Sequence, residues 1–173
     1  LPDDAAREAV SLVTNPKTKI IDASTAHRTA PDWTYGIPEL SPAHRQAIRE
    51  TKRLANPGCH ATAFILSAYP LIKSKTMAPD YPVTCQSLTG YSGGGKSMIE
   101  AYDAGTAPLF ELYGLGLEHK HLPEIIERSG LKTRPIFVPS VGNYRQGMLV
   151  SIPLHLTSIP GAPKAKDLEA VYA

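Results

Sequence analysis

A cysteine stands where a helix is predicted to begin. The sequence Asn56-Pro57-Gly58-Cys59-His60 leads directly into a run of helix-forming residues that continues to Ile72. Asn56 is a favourable N-cap and Pro57 a favourable first helical residue, so Cys59 is predicted in the first helical turn. Unpaired backbone N–H groups and the helix dipole at that position favour the thiolate, which is the nucleophilic form of cysteine. The sequence therefore predicts that Cys59 is a nucleophile.

The helical periodicity turns this cysteine away from the apolar side of its helix. One stripe is predicted to contain Ala61, Phe64, Ile65, Ala68 and Ile72. At about 100° per residue, Cys59 points roughly 160° away from the centre of that stripe. The alternative is that the thiol is buried as a small apolar side chain, which is the usual role of a lone cysteine. Cys85 fits that alternative, because it lies within the predicted strand 81–89.

A glycine-rich segment, Gly90-Tyr91-Ser92-Gly93-Gly94-Gly95-Lys96-Ser97, matches the phosphate-binding pattern G-x-x-x-x-G-K-[ST]. A nucleotide hydrolase would need a downstream apolar strand ending in Asp to hold magnesium. The nearest candidate, Ile20-Ile21-Asp22, lies upstream, and the segments after Ser97 offer none. Two interpretations remain open. The segment is either a triphosphate loop that uses Lys96 and Ser97, or a glycine loop that lets the backbone approach another ligand.

A third cluster places two histidines and two carboxylates between Glu118 and Glu124. His119 and His121 are two positions apart in an irregular segment with no cysteine nearby, which is a weak spacing for metal ligands. A solvated polar loop, a metal site and an acid/base partner for a thiol all remain open from these residues alone. Arg28, in a loop after a predicted strand, is either a surface charge or a clamp for a carboxylate or phosphate.

Alternating helix and strand patterns are predicted to position these residues. Helices are predicted at 3–13, 42–51, 57–72, 123–128 and 164–173, and strands at 19–22, 53–55, 81–89, 108–113, 135–141 and 147–156. Segment 23–40 is predicted as a long loop. Cys59 then follows a strand and opens a helix, which is where open α/β sheets place their sites. The extended runs after residue 72 predict a second, more antiparallel layer.

Composition excludes several classes of protein. The chain has 173 residues, 42% of them hydrophobic, and a net charge of +2 without a basic stripe, so a nucleic-acid partner is not expected. No apolar run approaches the roughly 18 residues of a membrane span, so no membrane partner is expected either. Two cysteines without close spacing indicate neither a disulfide framework nor a zinc site, and favour a cytoplasmic location.

Taken together, four motifs resemble N-acetyl-gamma-glutamyl-phosphate reductase of arginine biosynthesis. They are Asp22 to Thr29, Asn56 to Cys59, Gly90 to Ser97 and Glu118 to Glu124, in that order. The resemblance extends from about residue 1 to about residue 156. It implies an α/β fold of the semialdehyde dehydrogenase type, with a partial Rossmann-type nucleotide-binding domain followed by a mixed, largely antiparallel sheet with helices.

The resemblance implies that Cys59 attacks an acyl phosphate, that phosphate leaves, and that the resulting thioester is reduced by NADPH to a semialdehyde. His119 would be the acid/base partner of the cysteine. The choice of His119 over His121 follows from the family pattern alone.

The resemblance also implies the binding residues. Arg28, His121 and Glu124 would hold the phosphate or carboxylate of the substrate, and Ser92 and Gly93 would approach the nicotinamide end of NADP. No metal is implied. The enzyme would be a homo-oligomer, either a dimer or a tetramer.

The domain organisation is predicted from the same comparison. The family opens with a strand and a glycine fingerprint that seat the dinucleotide pyrophosphate, and this sequence has no counterpart of them. We therefore expect residues 1–55 to be the remaining half of an NADP-binding Rossmann domain. Residues 56–173 would be the catalytic and dimerisation domain, incomplete at its C-terminus.

This organisation predicts that the chain by itself binds NADP poorly and is inactive. Two other functions remain as alternatives. One is a phosphate-loop nucleotide hydrolase, and the other is a non-catalytic dimerisation fragment.

Overall fold

The computed structural model describes all 173 residues and contains six α-helices and seven strands. The helices are α1 (Asp3–Ser11), α2 (Pro42–Glu50), α3 (Cys59–Lys73), α4 (Lys96–Asp103), α5 (Leu122–Ser129) and α6 (Ala165–Tyr172). The strands are β1 (Ile20–Asp22), β2 (Thr34–Tyr35), β3 (Arg53–Ala55), β4 (Thr84–Gly90), β5 (Phe110–Leu112), β6 (Ile136–Gly142) and β7 (Met148–Ser151). None of the helices combines the length and the hydropathy needed to span a bilayer.

The first sheet has three parallel strands in the order β1-β3-β2. Strand β2 lies inside segment 23–40, which the sequence predicted as a loop. It has only two residues, Thr34 and Tyr35, which is too few for an alternating pattern to show. Its identity as a strand depends on its pairing with β3, a tertiary contact.

The second sheet is mixed, with the order β5-β6-β4-β7. The central pair β4–β6 is parallel, whereas β4–β7 and β5–β6 are antiparallel, so the predicted mixed, largely antiparallel sheet is confirmed. Strand β7 ends at Ser151, earlier than the predicted run 147–156. Pro153 has no N–H to donate to the ladder, although Ile152 and Leu154 still pack against the core.

One hydrophobic core lies between α3, α5 and the inner face of the second sheet. Phe64 and Ile65 of α3 pack with Ile125 of α5, Cys85 of β4 and Phe137 of β6, and each is at most 1% exposed. Cys85 is therefore a core residue, as predicted. Burial raises the pKa of its thiol to about 12, so it remains protonated and unreactive at neutral pH.

Helix α3 begins two residues later than predicted. Gly58 is the N-cap and Cys59 the first helical residue, whereas the sequence placed Asn56 at the cap and Pro57 in the first turn. Asn56 instead extends the first sheet, because its N–H donates to the carbonyl of Asp22 at 2.7 Å. A residue before proline also disfavours helical geometry, so the chain stays extended up to Gly58.

Candidate active site

The exposed thiol of Cys59 opens into a cleft of about 380 Å³. The cleft lies where β1, β3 and β4 end, and the carboxyl ends of strands are where α/β sheets bring their functional loops together. Its lining residues are Arg28, Gly58, Cys59, His60, Thr89, Gly93, Gly94, Met98, Tyr113, His119, Lys120 and His121. The structure thus brings together five of the predicted site residues, Arg28, Cys59, Gly93, His119 and His121. Gly94 is a second residue of the glycine loop in the lining.

Arg28 is a buried cation at the base of the cleft, only 7% exposed. Its Nη1 donates to Oε1 of Glu124 at 2.7 Å, its Nε to the carbonyl of Asn56 at 3.0 Å, and its Nη2 to the carbonyl of Ala23 at 3.1 Å. These three bonds hold the guanidinium plane in one orientation. The alternative of a surface charge is wrong for this arginine.

Glu124 lies behind the cleft wall and is 1% exposed. It accepts hydrogen bonds from Arg28, from the Tyr35 hydroxyl and, at 3.1 Å, from the Gly58 N–H. Sequence reasoning placed this carboxylate against the substrate, but its oxygens are occupied by protein donors and it does not line the cleft. Its contacts hold the arginine and the residue before the cysteine in place.

Gly58 has no room for a side chain. A Cβ atom at this position would lie 2.5 Å from Nε2 of His121 and 2.6 Å from Oε1 of Glu124. Both neighbours are buried and one is fixed by several hydrogen bonds. Only glycine fits at this position, because α5 and the loop before it lie very close to the start of α3.

The hydrogen bonding of His119 defines its tautomer. The backbone N–H of His121 donates to Nδ1 of His119 at 3.1 Å, which places the proton of the neutral ring on Nε2. Burial, and then the charge of Lys120, lower the pKa of His119 to about 4. At pH 7 this ring is therefore a neutral N–H donor.

Two further histidines surround His119. Burial, together with the neighbouring His119, lowers the pKa of His60 to about 4, and burial and several nearby groups lower that of His121 to about 2. Both rings are nearly inaccessible, at 3% and 4% exposed. Nδ1 of His121 is buried without a hydrogen-bond partner. The segment from Glu118 to Glu124 is therefore not a solvated loop, because two of its polar side chains are buried.

The glycine loop follows β4 and contributes the rim of the cleft. Gly93 and Gly94 line it, whereas Ser92 does not, and the Ser92 N–H donates to the carbonyl of Arg145 at 3.0 Å. Lys96 and Ser97, which a triphosphate loop would use, are exposed and do not line the cleft. The Lys96 amine instead lies 3.7 Å from the carboxylate of Glu100 on its own helix.

No group of three or more His, Cys, Asp or Glu side chains is arranged to hold a metal ion. The three histidine rings pack edge to face or tilted against one another, with centroids 4.7 to 5.6 Å apart. Both ring nitrogens of His60, and Nδ1 of His119, already have hydrogen-bond partners in the protein.

Sequence reasoning did not select His60, Tyr113 or Lys120 as site residues. A signal existed for His60, since it is four residues before Phe64 and therefore in phase with the buried stripe of α3. A buried histidine needs polar partners, and those could not be named from the sequence. Tyr113 and Lys120 line the cleft because of the path that the chain takes between β5 and α5, and no local sequence pattern indicates that path.

Comparisons with known proteins identify the family of this chain. The family model described as semialdehyde dehydrogenase, dimerisation domain, matches residues 59–173. The chain is 48% identical to N-acetyl-gamma-glutamyl-phosphate reductase 2 of Pseudomonas putida, covering 98% of this chain and 55% of that protein. It is also 48% identical to the N-acetyl-gamma-glutamyl-phosphate reductase of Burkholderia cenocepacia, covering 100% of this chain and 56% of that protein. The chain thus spans about half the length of these curated relatives.

Solved structures show the same fold at low sequence identity. Aspartate semialdehyde dehydrogenase II from Vibrio cholerae superposes with a TM-score of 0.67 at 13% identity, covering 93% of this chain and 57% of that one. Aspartate semialdehyde dehydrogenase from Candida albicans, solved with NADP, superposes with a TM-score of 0.64 at 16% identity, covering 99% and 53%. The predicted resemblance is confirmed: the chain belongs to the semialdehyde dehydrogenase family and is similar to its N-acetyl-gamma-glutamyl-phosphate reductases.

Proposed function

We propose that this chain is the catalytic part of an NADPH-dependent reductase of arginine biosynthesis. The enzyme converts N-acetyl-gamma-glutamyl phosphate into N-acetylglutamate semialdehyde and phosphate through a thioester on Cys59. One observation carries the proposal. An exposed cysteine at a helix N-terminus shares a cleft with a buried arginine and three histidines, in a chain 48% identical to reductases named for this reaction.

The start of α3 suits a thiolate nucleophile. Cys59 is the first helical residue, so its side chain lies beside backbone N–H groups that have no partner within the helix. These groups and the helix dipole favour a negative charge on sulfur. The thiolate attacks the acyl carbon, the bond to phosphate breaks, and the acyl group remains on Cys59 as a thioester.

Positive charge in the cleft suits the phosphate or carboxylate of the substrate. A guanidinium has five N–H donors, and Arg28 uses three of them for Glu124, Asn56 and Ala23, which leaves two for an anion. Lys120 adds a second cation to the lining, and no carboxylate lines the cleft.

His119 acts as a proton donor in this proposal. The His119 ring lines a cleft in which negative charge develops on the carbonyl oxygen during attack and reduction, and a preorganised N–H donor stabilises such charge. The His121 N–H keeps Nδ1 unprotonated and thereby keeps the proton on Nε2. Glu124 is a positioning residue, since it contacts Arg28 and Gly58 without reaching the cleft.

The glycine loop fits the reactive end of a nicotinamide cofactor. Gly93 and Gly94 are exposed at the rim of the cleft that contains Cys59, so their backbone is accessible to a flat ring, and the Met98 side chain packs beside Gly94. NADPH, when bound, supplies the hydride that reduces the thioester. The chain's own residues hold the acyl group, donate to its oxygen and release the aldehyde from Cys59, which regains its thiolate.

Residues 1–55 are proposed to belong to the NADP-binding domain and residues 56–173 to the catalytic and dimerisation domain. The two free thiols of Cys59 and Cys85 suit a reducing cytoplasm. The enzyme is proposed to be a homo-oligomer, because the matched family model is described as a dimerisation domain. The surface proposed for this contact is the outer face of the second sheet, which exposes large apolar side chains.

The test is phosphate-dependent reduction of NADP by N-acetylglutamate semialdehyde, measured on the full-length natural protein that contains this chain. Cys59→Ser is expected to reduce the rate to background, because a serine hydroxyl is not ionised at neutral pH. Cys85→Ser is the matched control and is expected to retain most of the activity, since its thiol is buried and does not line the cleft.

Equal loss of activity in the two variants, with both folded, would remove Cys59 from the proposed role. Magnesium-dependent ATP hydrolysis that disappears in Lys96→Ala, without any reductase activity, would instead support the triphosphate-loop alternative.

A further inference from the structure

We propose that Tyr35 and Arg128 are positioning residues that hold Arg28 in the cleft in a fixed orientation. The inference rests on the proposed role of Arg28 in binding an anionic group of the substrate. It adds two residues that do not line the cleft themselves. Hydrogen bonds that reach Arg28 at both ends carry it: Tyr35 acts on the guanidinium through Glu124, and Arg128 binds the main-chain carbonyl of Arg28.

Tyr35 acts through the carboxylate of Glu124. The tyrosine lies on strand β2, is 1% exposed, and donates its hydroxyl proton to Oε2 of Glu124 at 2.5 Å. Burial, and then the hydrogen bond to Glu124, raise the pKa of Tyr35, so the hydroxyl keeps its proton and is the donor. The other carboxylate oxygen, Oε1, accepts from Nη1 of Arg28 at 2.7 Å. The two oxygens are thus held from different sides, which fixes the plane of the carboxylate that orients Arg28.

The loss of the tyrosine hydroxyl would loosen this carboxylate. Oε2 of Glu124 would keep the Gly58 N–H, at 3.1 Å, as its protein donor. A buried carboxylate that loses a donor is destabilised in its original orientation. The carboxylate is then free to rotate, and its bond to Nη1 of Arg28 weakens with it.

Arg128 acts on the main chain of Arg28 and on the ring of Tyr35. Its Nη2 donates to the carbonyl oxygen of Arg28 at 3.0 Å. Its central guanidinium carbon lies 5.1 Å from the centroid of the Tyr35 ring, where a cation is attracted to the aromatic face. One side chain therefore fixes the backbone of Arg28 and supports the tyrosine that orients its guanidinium.

This network joins two distant parts of the chain. Arg28 and Tyr35 belong to the segment between β1 and β3, whereas Glu124 and Arg128 lie one turn apart on the same face of α5. Helix α5 packs in the core against α3, which begins at Cys59. The network thereby ties Arg28 to the helices that position the nucleophile, so the cation and the thiol keep a constant separation.

The experiment compares two alkylating reagents at Cys59 in the full-length natural protein at pH 7. Iodoacetate is an anion and iodoacetamide is neutral, and mass spectrometry of the Cys59 peptide gives the rate for each. Both reagents react with the same thiolate, so the ratio of the two rates does not depend on how much thiolate is present. The ratio instead reports how well the cleft attracts and holds an anion beside the cysteine. Labelling of Cys85, which is buried, reports unfolding.

Arg28→Gln is expected to lower the iodoacetate-to-iodoacetamide ratio about fivefold, because one cation is removed from the cleft. Tyr35→Phe is expected to lower it about twofold, because Arg28 stays charged but is no longer held in one orientation. Neither Tyr35→Phe nor Arg128→Met is expected to lower the ratio further when Arg28→Gln is already present. This comparison also separates positioning by Arg128 from any direct effect of its charge on the reagent.

Conservative and matched variants distinguish positioning from general destabilisation. Arg128→Met alone is expected to lower the ratio about twofold, whereas Arg128→Lys keeps a donor and a cation and is expected to retain most of the wild-type ratio. Tyr144→Phe and Arg49→Met are the controls, since both side chains are exposed and lie outside the cleft. Both are expected to leave the ratio unchanged.

A wild-type ratio in Tyr35→Phe would overturn the proposal, as would an equal fall in the presence and absence of Arg28→Gln. If Arg128→Met exposes Cys85 to labelling, Tyr35→Phe decides the outcome. A wild-type ratio in Arg28→Gln would remove the anion-binding role of Arg28 and this inference with it. Alkylation requires neither NADP nor substrate, so failure of the reductase assay and failure of this inference are separate results.

Discussion

At the scale of single residues, the site depends on the carboxylate of Glu124, which does not line the cleft. Glu124 is almost completely buried and joins Arg28, Tyr35 and the Gly58 N–H. A buried ion pair is costly to break, because removal of one partner leaves the other charge unpaired. The Glu124 side chain therefore holds both Arg28, a cation of the cleft, and Gly58, the N-cap of α3, in place.

Gly58→Ala tests this arrangement with one methyl group. The new Cβ would lie within 2.6 Å of both His121 and Glu124, so the start of α3 and the loop before α5 must separate. The expected loss of stability is about 1–3 kcal/mol, the usual cost of overpacking. The proposed reductase activity is expected to fall more steeply, because Cys59 is the next residue.

The matched control is Gly116→Ala, where a Cβ meets no atom within 4 Å. Urea unfolding and the reductase assay compare the two variants. Equal stability of both, with full activity, would contradict the close packing described for Gly58.

At the scale of elements, the second sheet presents two different faces. Its inner face packs Cys85, Phe137 and Val141 into the protein interior. On the outer face, the strand register aligns Leu112, Ser140, Leu88 and Leu149 in one row across all four strands. Large apolar side chains on this face are exposed: Phe110 by 55%, Leu112 by 49%, Ile136 by 51% and Leu149 by 62%. Such a patch is typical of an interaction surface.

A charge on this face is expected to dissociate the proposed homo-oligomer. Leu149→Glu places an unpaired carboxylate in the contact, and the dissociation constant is expected to rise at least about tenfold. Sedimentation equilibrium of the wild-type chain and the variant at micromolar concentration measures the change.

Leu12→Glu provides the control, since Leu12 is 72% exposed at the end of α1 and lies outside the sheet. A wild-type chain that is monomeric at these concentrations, or a Leu149→Glu variant with unchanged mass, would contradict the proposed contact surface.

At the scale of the whole molecule, stability is coupled to the charge state of the buried histidines. His60 and His121 have pKa values of about 4 and about 2 in the folded protein, both below the ordinary value of 6.5. At a pH between each folded pKa and 6.5, that histidine therefore binds more protons in the unfolded chain than in the folded protein. Unfolding becomes more favourable as the pH falls below about 6.5, and this loss of stability is absent above it.

The melting temperature is expected to be lower at pH 5 than at pH 7. Each of the two histidines is expected to remove about 2 kcal/mol of stability at pH 5, from the difference between folded and unfolded pKa values. Differential scanning calorimetry at the two pH values measures this loss. His60→Gln removes one of the titrating groups, so its melting temperature is expected to change less between the two pH values. Equal melting temperatures for the wild type at pH 5 and pH 7 would contradict neutral burial of these rings.

Local patterns in the sequence predicted most of the secondary structure. Helices α1, α2, α3 and α5 are predicted by apolar periodicity together with proline and capping residues, which act within a few positions along the chain. Strand β4 and the burial of Cys85 follow from an extended apolar run in the same way. Strand β2 was missed because two residues carry no periodicity and pair only with a distant strand.

The sequence by itself determined the candidate nucleophile, the glycine loop and the histidine segment, because each is a short motif whose meaning depends on neighbouring residues. Only the tertiary structure decided which of them share a cleft, that Glu124 lies behind it, and that His60 and Tyr113 join it. Burial and hydrogen-bond partners are contributed by residues as far apart as Arg28 and Glu124. Such contacts, and the pKa shifts they cause, are set by packing between elements and leave no periodic signal along the chain.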